Sequence, residues 1–230
     1  MGEPMNIVSI ETATPACAIG VGTSSGVEFA LVLEGERHHT ETLTPGIRDL
    51  LYKVGLSAKS IDRVVVDRGP GLYTGLRVGI ATALGFALGA GAELVGVTSL
   101  EVLARGAFEA DVRGTLVCVV DARRGEVFAQ TFALGANVLA LDAPRVARPD
   151  GVASQWRTPG QVVTFTGDGV ARYAEAFDAV PHGSIFEQRV PAPAAALRLG
   201  AQKEPEATIA PLYLREADAV ANFATRQGLA

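Results

Sequence analysis

The sequence has 230 residues and a formal net charge of −5. That length holds one large or two small domains with a packed core, and the acidic balance argues against a stand-alone nucleic-acid binder, which carries a basic face. Cys17 and Cys118 match no metal spacing, Met1–Ile10 lacks the pattern of a signal peptide, and no run is long enough to cross a bilayer, so a cytoplasmic location is expected.

In chain order, Asn6–Glu11 reads as a strand. Ala16–Gly22 and Val27–Leu33 follow as strands around a Ser24-Ser25-Gly26 turn, giving a three-stranded meander. Leu43, Ile47, Leu50, Leu51 and Val54 recur at helical spacing, with Pro45 near the start and Gly55 as the stop. Asp62–Val66 is a buried strand, the Gly69-Pro70-Gly71 turn leads into an apolar helix over Gly75–Gly89, and Glu93–Val97 is a further strand. The second half repeats the order more loosely. Leu116–Asp121 and Val127–Leu134 form a hairpin around Arg123-Arg124-Gly125, Val138–Leu141 is a third strand, and Val162–Thr166 a later one. A helix is predicted from Gly167-Asp168-Gly169 through Phe177, while Ala140–Gly160 and Ala179–Pro193 read as surface loops. A repeat of half the chain implies two similar α/β lobes, residues 1–105 and 106–230, with the last residues returning to the first lobe.

Each half opens with apolar residues running into an acid, Glu11 or Asp121, and then a tight turn. In actin-like ATPases such turns wrap phosphates, which requires free backbone N–H groups and close approach, hence glycine. The turn after Glu11 is Thr12-Ala13-Thr14-Pro15, with no glycine and one N–H lost to proline; the turn after Asp121 carries Arg123 and Arg124 before its glycine. The acids remain while the cradles are degraded, so no catalytic residue is assigned. A vestigial cleft or anion site is predicted around Glu11, Thr12, Arg68, Gly69, Pro70, Gly71, Thr74, Asp121 and Arg123, with the bland alternative that Gly69-Pro70-Gly71 is only a sharp turn. His38, His39 and Glu41 lack a third ligand at usable spacing, so no metal site is predicted.

The Gly75–Gly89 helix is apolar around its whole circumference. A helix lying on one face of a sheet should be charged on its other side. Its glycines each cost roughly 0.8–1 kcal/mol against alanine, which implies a packing reason. Either the helix is sandwiched inside its own domain or one face is covered by another protein chain. The second is the expectation, with Leu43, Ile47, Leu50 and Leu51 of the preceding helix and Leu76, Gly79, Ile80, Ala83, Leu84 and Ala87 forming the interface.

Five segments in order, Ile7–Val21 (IVSIETATPACAIGV), Arg68–Gly79 (RGPGLYTGLRVG), Gly96–Leu100 (GVTSL), Asp121–Phe128 (DARRGEVF) and Pro211–Arg215 (PLYLR), resemble the TsaB family, also called YeaZ. The resemblance implies an actin-like ATPase (RNase H-like) α/β fold of two duplicated βββαβα lobes, the second irregular. It implies a non-catalytic partner in threonylcarbamoyladenosine modification of tRNA, paired through its first two helices with the catalytic paralogue TsaD or with itself. TsaE docks on that heterodimer, and tRNA is met only through the complex. TsaD's metal-binding histidine pair has no counterpart here, no cofactor is required, and weak ATP or ADP binding is left open. A small-molecule kinase of the same fold and a glycoprotease-like metallopeptidase stand as alternatives. Tyr73 replaces the family's frequent phenylalanine, and Glu11 its common aspartate.

Overall fold

In the run Asn6–Glu11 (β1) every residue from Ile7 onward is buried, the mark of a strand covered on both faces. β1 pairs antiparallel with β2 (Cys17–Thr23), which pairs antiparallel with β3 (Gly26–Leu33). On its other side β1 runs parallel to β4 (Arg63–Asp67), and β4 parallel to β5 (Glu93–Val97). The order is β3-β2-β1-β4-β5. We describe this computed structural model over residues 4–23, 26–33, 39–158 and 160–215.

Strand periodicity sends alternate side chains to opposite faces. Val8, Ile10, Val64 and Val66 meet the helices α1 (His39–Lys53) and α2 (Tyr73–Ala90), while Ile7 and Val65 meet Ala195, Ala196 and Leu197 of the last helix. α1 starts ahead of its apolar periodicity and keeps Pro45 inside it.

α3 (Ser99–Glu109) follows β5, where no helix was predicted. Its start is set by a capping box: Thr98 accepts from the Glu101 amide and Glu101 accepts from the Thr98 amide. The second sheet then repeats the first. β6 (Gly114–Arg123) pairs antiparallel with β7 (Glu126–Leu134), and β7 with β8 (Val138–Ala140) and β9 (Arg145–Ala147). β6 also pairs parallel with β10 (Val163–Thr166), and β10 with β11 (Gly183–Phe186). The order β8-β7-β6-β10-β11 therefore mirrors β3-β2-β1-β4-β5.

The helices of this half are short. α4 (Pro149–Ser154) stands in a stretch predicted as loop, and the predicted helix ending at Phe177 breaks into α5 (Asp168–Arg172) and α6 (Ala174–Asp178). β9 and β11 also lie in predicted loops. α7 (Pro193–Gln202) closes the fold and packs on the first sheet, whereas α3 packs Leu100, Leu103 and Ala107 on the second, beside Leu116, Cys118, Phe128 and Phe132. Each sheet is thus covered by a helix from the other half, and the expected boundary at residue 105 falls within α3. No described helix is long and apolar enough to cross a membrane.

Candidate functional site

The degraded first turn is closed by its own chain. Gly71 lies so close to Ala13 that a Cβ there would sit 2.3 Å from the Ala13 carbonyl oxygen. The Leu72 amide donates to that same oxygen at 2.7 Å. Thr12 donates from Oγ1 to the Gly75 carbonyl at 2.9 Å, and a Cβ on Gly79 would stand 2.2 Å from that hydroxyl. The glycines at the start of α2 therefore admit the β1–β2 turn rather than a ligand or a second chain, which corrects the expectation for Gly79.

Glu11 and Asp67, at the ends of neighbouring strands, are 2% and 1% exposed. Glu11 Oε1 accepts from the Ala13 amide at 2.6 Å; Asp67 Oδ1 accepts from the Gly69 amide at 2.6 Å and from Ser99 Oγ at 3.0 Å. The Gly69 and Leu72 amides of the candidate anion turn are already engaged. Arg68 points away, donating to Ala210 O at 3.1 Å and pairing with Glu206 at 3.0 Å, while Leu212 N donates to its carbonyl at 2.7 Å. Arg68 thus ties the C-terminal segment to the first lobe. Pro70 is buried, with its carbonyl accepting from Ser99 Oγ, and Thr74 is exposed. Two amides of this turn and the Arg68 side chain are thus committed within the chain.

Asp121, 6% exposed, sits in a separate cluster. It accepts from the Arg123 amide at 2.9 Å and forms ion pairs with Arg123 and Arg172, each at 3.2 Å. Tyr173 donates to it at 3.3 Å, and Asp168 accepts from its backbone amide. Burial raises the Asp168 carboxyl above its usual range, opposed by the Asp121 amide. Arg123 and Arg124 hold φ of 64° and 57°, the left-handed geometry of a tight hairpin that the following Gly125 shares. The carboxylate is neutralised by arginines of its own chain. Asp67, Ser99, Asp168, Arg172 and Tyr173 were not predicted here; the signal for Asp67 was available, since RVVVD followed by RGPG is the same strand–acid–turn pattern.

Among the described residues no group of three His, Cys, Asp or Glu could hold a metal ion. His38 and the side chain of His39 lie outside the described residues.

The expected interface is largely turned inward. Leu43, Ile47, Leu50, Leu51, Leu76, Gly79, Ala83 and Ala87 are buried in the chain's own core. Small residues face the sheet because they let α2 approach β1 and β4 closely. Of the predicted set, Leu84 is exposed and Ile80 half-buried. The outward stripe of α2 is Arg77, Ala81, Leu84, Gly85 and Leu88, with Leu88 83% exposed. Beside it a groove of about 600 Å³ runs between α1 and α2, walled by Tyr52, Leu56, Ala81, Gly85 and Phe86, with Ile47 and Leu51 beneath. At the head of the stripe Tyr73 stacks on Tyr213, centroids 5.0 Å apart, and Arg77 lies over the Tyr73 ring while donating to the Tyr213 hydroxyl at 3.0 Å.

Two sheets of the same mixed order, each opening with strand, acid and turn, define a two-lobed protein of the actin-like ATPase fold. A solved structure of YeaZ from Pseudomonas aeruginosa superposes with a TM-score of 0.78 at 25% identity, covering 91% of this chain and all of that one. Component A of (R)-2-hydroxyglutaryl-CoA dehydratase from Acidaminococcus fermentans, 9% identical with a TM-score of 0.50 over 86% of this chain and 96% of that one, shares the fold alone. Residues 33–222 match the family described as TsaD: tRNA N6-adenosine threonylcarbamoyltransferase. The tRNA threonylcarbamoyladenosine biosynthesis protein TsaB of Escherichia coli is 37% identical over 124 residues, 54% of this chain and 53% of that protein, so the match spans about half the length of that relative. An uncharacterized protein of Mycobacterium tuberculosis is 31% identical over 224 residues, 93% of each chain. The chain belongs to the TsaB (YeaZ) family.

Proposed function

We propose that this protein is a non-catalytic binding subunit of tRNA threonylcarbamoyladenosine biosynthesis, presenting the outer stripe of α2 and the adjoining groove to the catalytic relative TsaD. The carrying observation is the exposed apolar run Ala81, Leu84, Gly85 and Leu88 beside an apolar groove, on a helix whose inner side is already packed. Patches of this kind on soluble proteins mark interaction surfaces. The closed turns at Glu11 and Asp121 support a scaffold that turns over no nucleotide. Alone, the protein pairs with itself through the same patch, an isologous contact that TsaD displaces. TsaE joins the heterodimer, and tRNA is met only within the complex, in keeping with the net charge of −5.

Leu88→Glu tests this reading without disturbing the core. A carboxylate on that stripe costs about 3 kcal/mol at an interface centre, roughly a hundredfold in Kd. We expect an unchanged circular dichroism spectrum, loss of co-purification with TsaD, and loss of modified tRNA in a reconstituted assay. Normal TsaD binding by a folded Leu84→Glu, Leu88→Glu double variant would overturn the assignment.

A further inference from the structure

Glu11 and Asp67 stand side by side because β1 and β4 are parallel and pair through Ile10 and Val66, one residue earlier. Both are cut off from water. One oxygen of each is held by the donors described above, but Glu11 Oε2 and Asp67 Oδ2 have no donor among the described residues. Two adjacent carboxylates in a dry interior cannot both stay ionised, because neither water nor a counter-charge offsets their repulsion. Among the described residues, the groups packed around the pair supply no cation. The two turns offer backbone amides, α3 offers the Ser99 hydroxyl and the carboxylate of Glu101, and Glu101 is itself held by Lys203 at 2.8 Å. Arg68 is directed to Ala210 and Glu206.

We propose that Glu11 and Asp67 share one proton, donated from Glu11 Oε2 to Asp67 Oδ2, and that this proton is a pH-sensitive latch holding the β1–β2 turn against the start of α2. It satisfies both orphan oxygens and leaves a single negative charge on Asp67, where the Gly69 amide and the Ser99 hydroxyl also donate. Glu11 keeps an amide donor from Ala13, so the latch fixes the residue whose carbonyl receives the Leu72 amide. Burial first, then the negative charge of Asp67, holds the Glu11 carboxyl well above its ordinary range. Burial likewise raises Asp67, opposed by its hydrogen bonds from Glu11, Gly69 and Ser99. The sign follows: the folded chain keeps a proton that the unfolded chain releases, so the stabilisation is complete below the ordinary carboxylate range. It is lost as pH rises through the raised value of Glu11.

The test uses the full chain. Carbon-detected NMR of the labelled protein follows the Glu11 and Asp67 carboxyl carbons against pH, alongside urea unfolding of wild type and Glu11→Gln. Glutamine donates to Asp67 and accepts from Ala13 without titrating. We expect Glu11 to remain protonated well above the ordinary range. Wild-type stability should fall with pH more steeply than that of Glu11→Gln, the difference in slope being one proton. Amide exchange at Ala13, Gly69 and Leu72 should accelerate with pH in wild type beyond the change seen in Glu11→Gln. A Glu11 carboxyl titrating in the ordinary range, or a slope in Glu11→Gln equal to that of wild type, would overturn the proposal. Should that variant fail to fold, the wild-type carboxyl titration decides the matter by itself.

Discussion

Arg63 shows how one side chain can join two parts of the chain that are far apart in sequence. It is 7% exposed on β4, pairs with Glu93 of the next strand at 2.5 Å, and donates to the carbonyls of Gly200, Ala201 and Lys203. Those carbonyls belong to the end of α7, where a helix leaves its last C=O groups unpaired and a cation is favoured. Arg63→Ala would remove the guanidinium donor from all three carbonyls and leave Glu93 without its partner. Charge-assisted bonds of this kind are worth about 1.5–3 kcal/mol, and Glu93 is half-exposed, so a loss of about 3 kcal/mol is expected. Urea unfolding should show a lower midpoint with little change in slope. Nothing in the sequence around Arg63 signals this role, because the carbonyls it joins lie well over a hundred positions away. Glu11 and Asp67 differ in this respect: each ends an apolar run before a turn, and the paired strands alone bring them together.

At the level of elements, regular alternation was legible and orientation was not. β1, β2, β4, β5, β6 and β7 fall close to their predicted positions because apolar runs bounded by turns are a strong strand signal. α2 was legible as a helix, but its circumference is apolar throughout, so hydropathy could not say which side faces the sheet. The structure decides it: Gly75, Leu76, Gly79, Ala83 and Ala87 face inward, and Leu84 and Leu88 outward. No helix was predicted over α3 or α7. Yet Thr98-Ser99-Leu100-Glu101 carries the capping-box signature in plain view. Thr98→Ala should remove one half of that box and cost about 1 kcal/mol. Thermal unfolding should register it as a fall of a few degrees, with the Glu101–Lys203 ion pair left in place.

Across the whole molecule the two halves are duplicated in topology yet do not cover their own sheets. α3, from the first half, packs on the second sheet, and α7, from the second half, packs on the first. The two helices also meet each other, with Arg198 of α7 paired to Glu109 of α3 and Lys203 to Glu101. A fragment ending at residue 112 would keep β1–β5, α1, α2 and α3 but would lose α7. Ile7, Val65, Val95 and Val97, all fully buried in the intact chain, would then face water on that side. Uncovering each such side chain costs roughly 1.5–3 kcal/mol, so four of them together match the whole stability of a typical domain, about 5–15 kcal/mol. α3 would at the same time lose the sheet under Leu100, Leu103 and Ala107. We therefore expect residues 1–112 alone to show no cooperative thermal transition. Residues 113–230 should behave likewise, because their sheet lacks α3. Mixing the two fragments from denaturant should restore a single transition and the circular dichroism of the intact protein. A fragment 1–112 that unfolds cooperatively by itself would show that the first sheet does not depend on α7, and that the exchange of helices is an ornament of the fold rather than its closure.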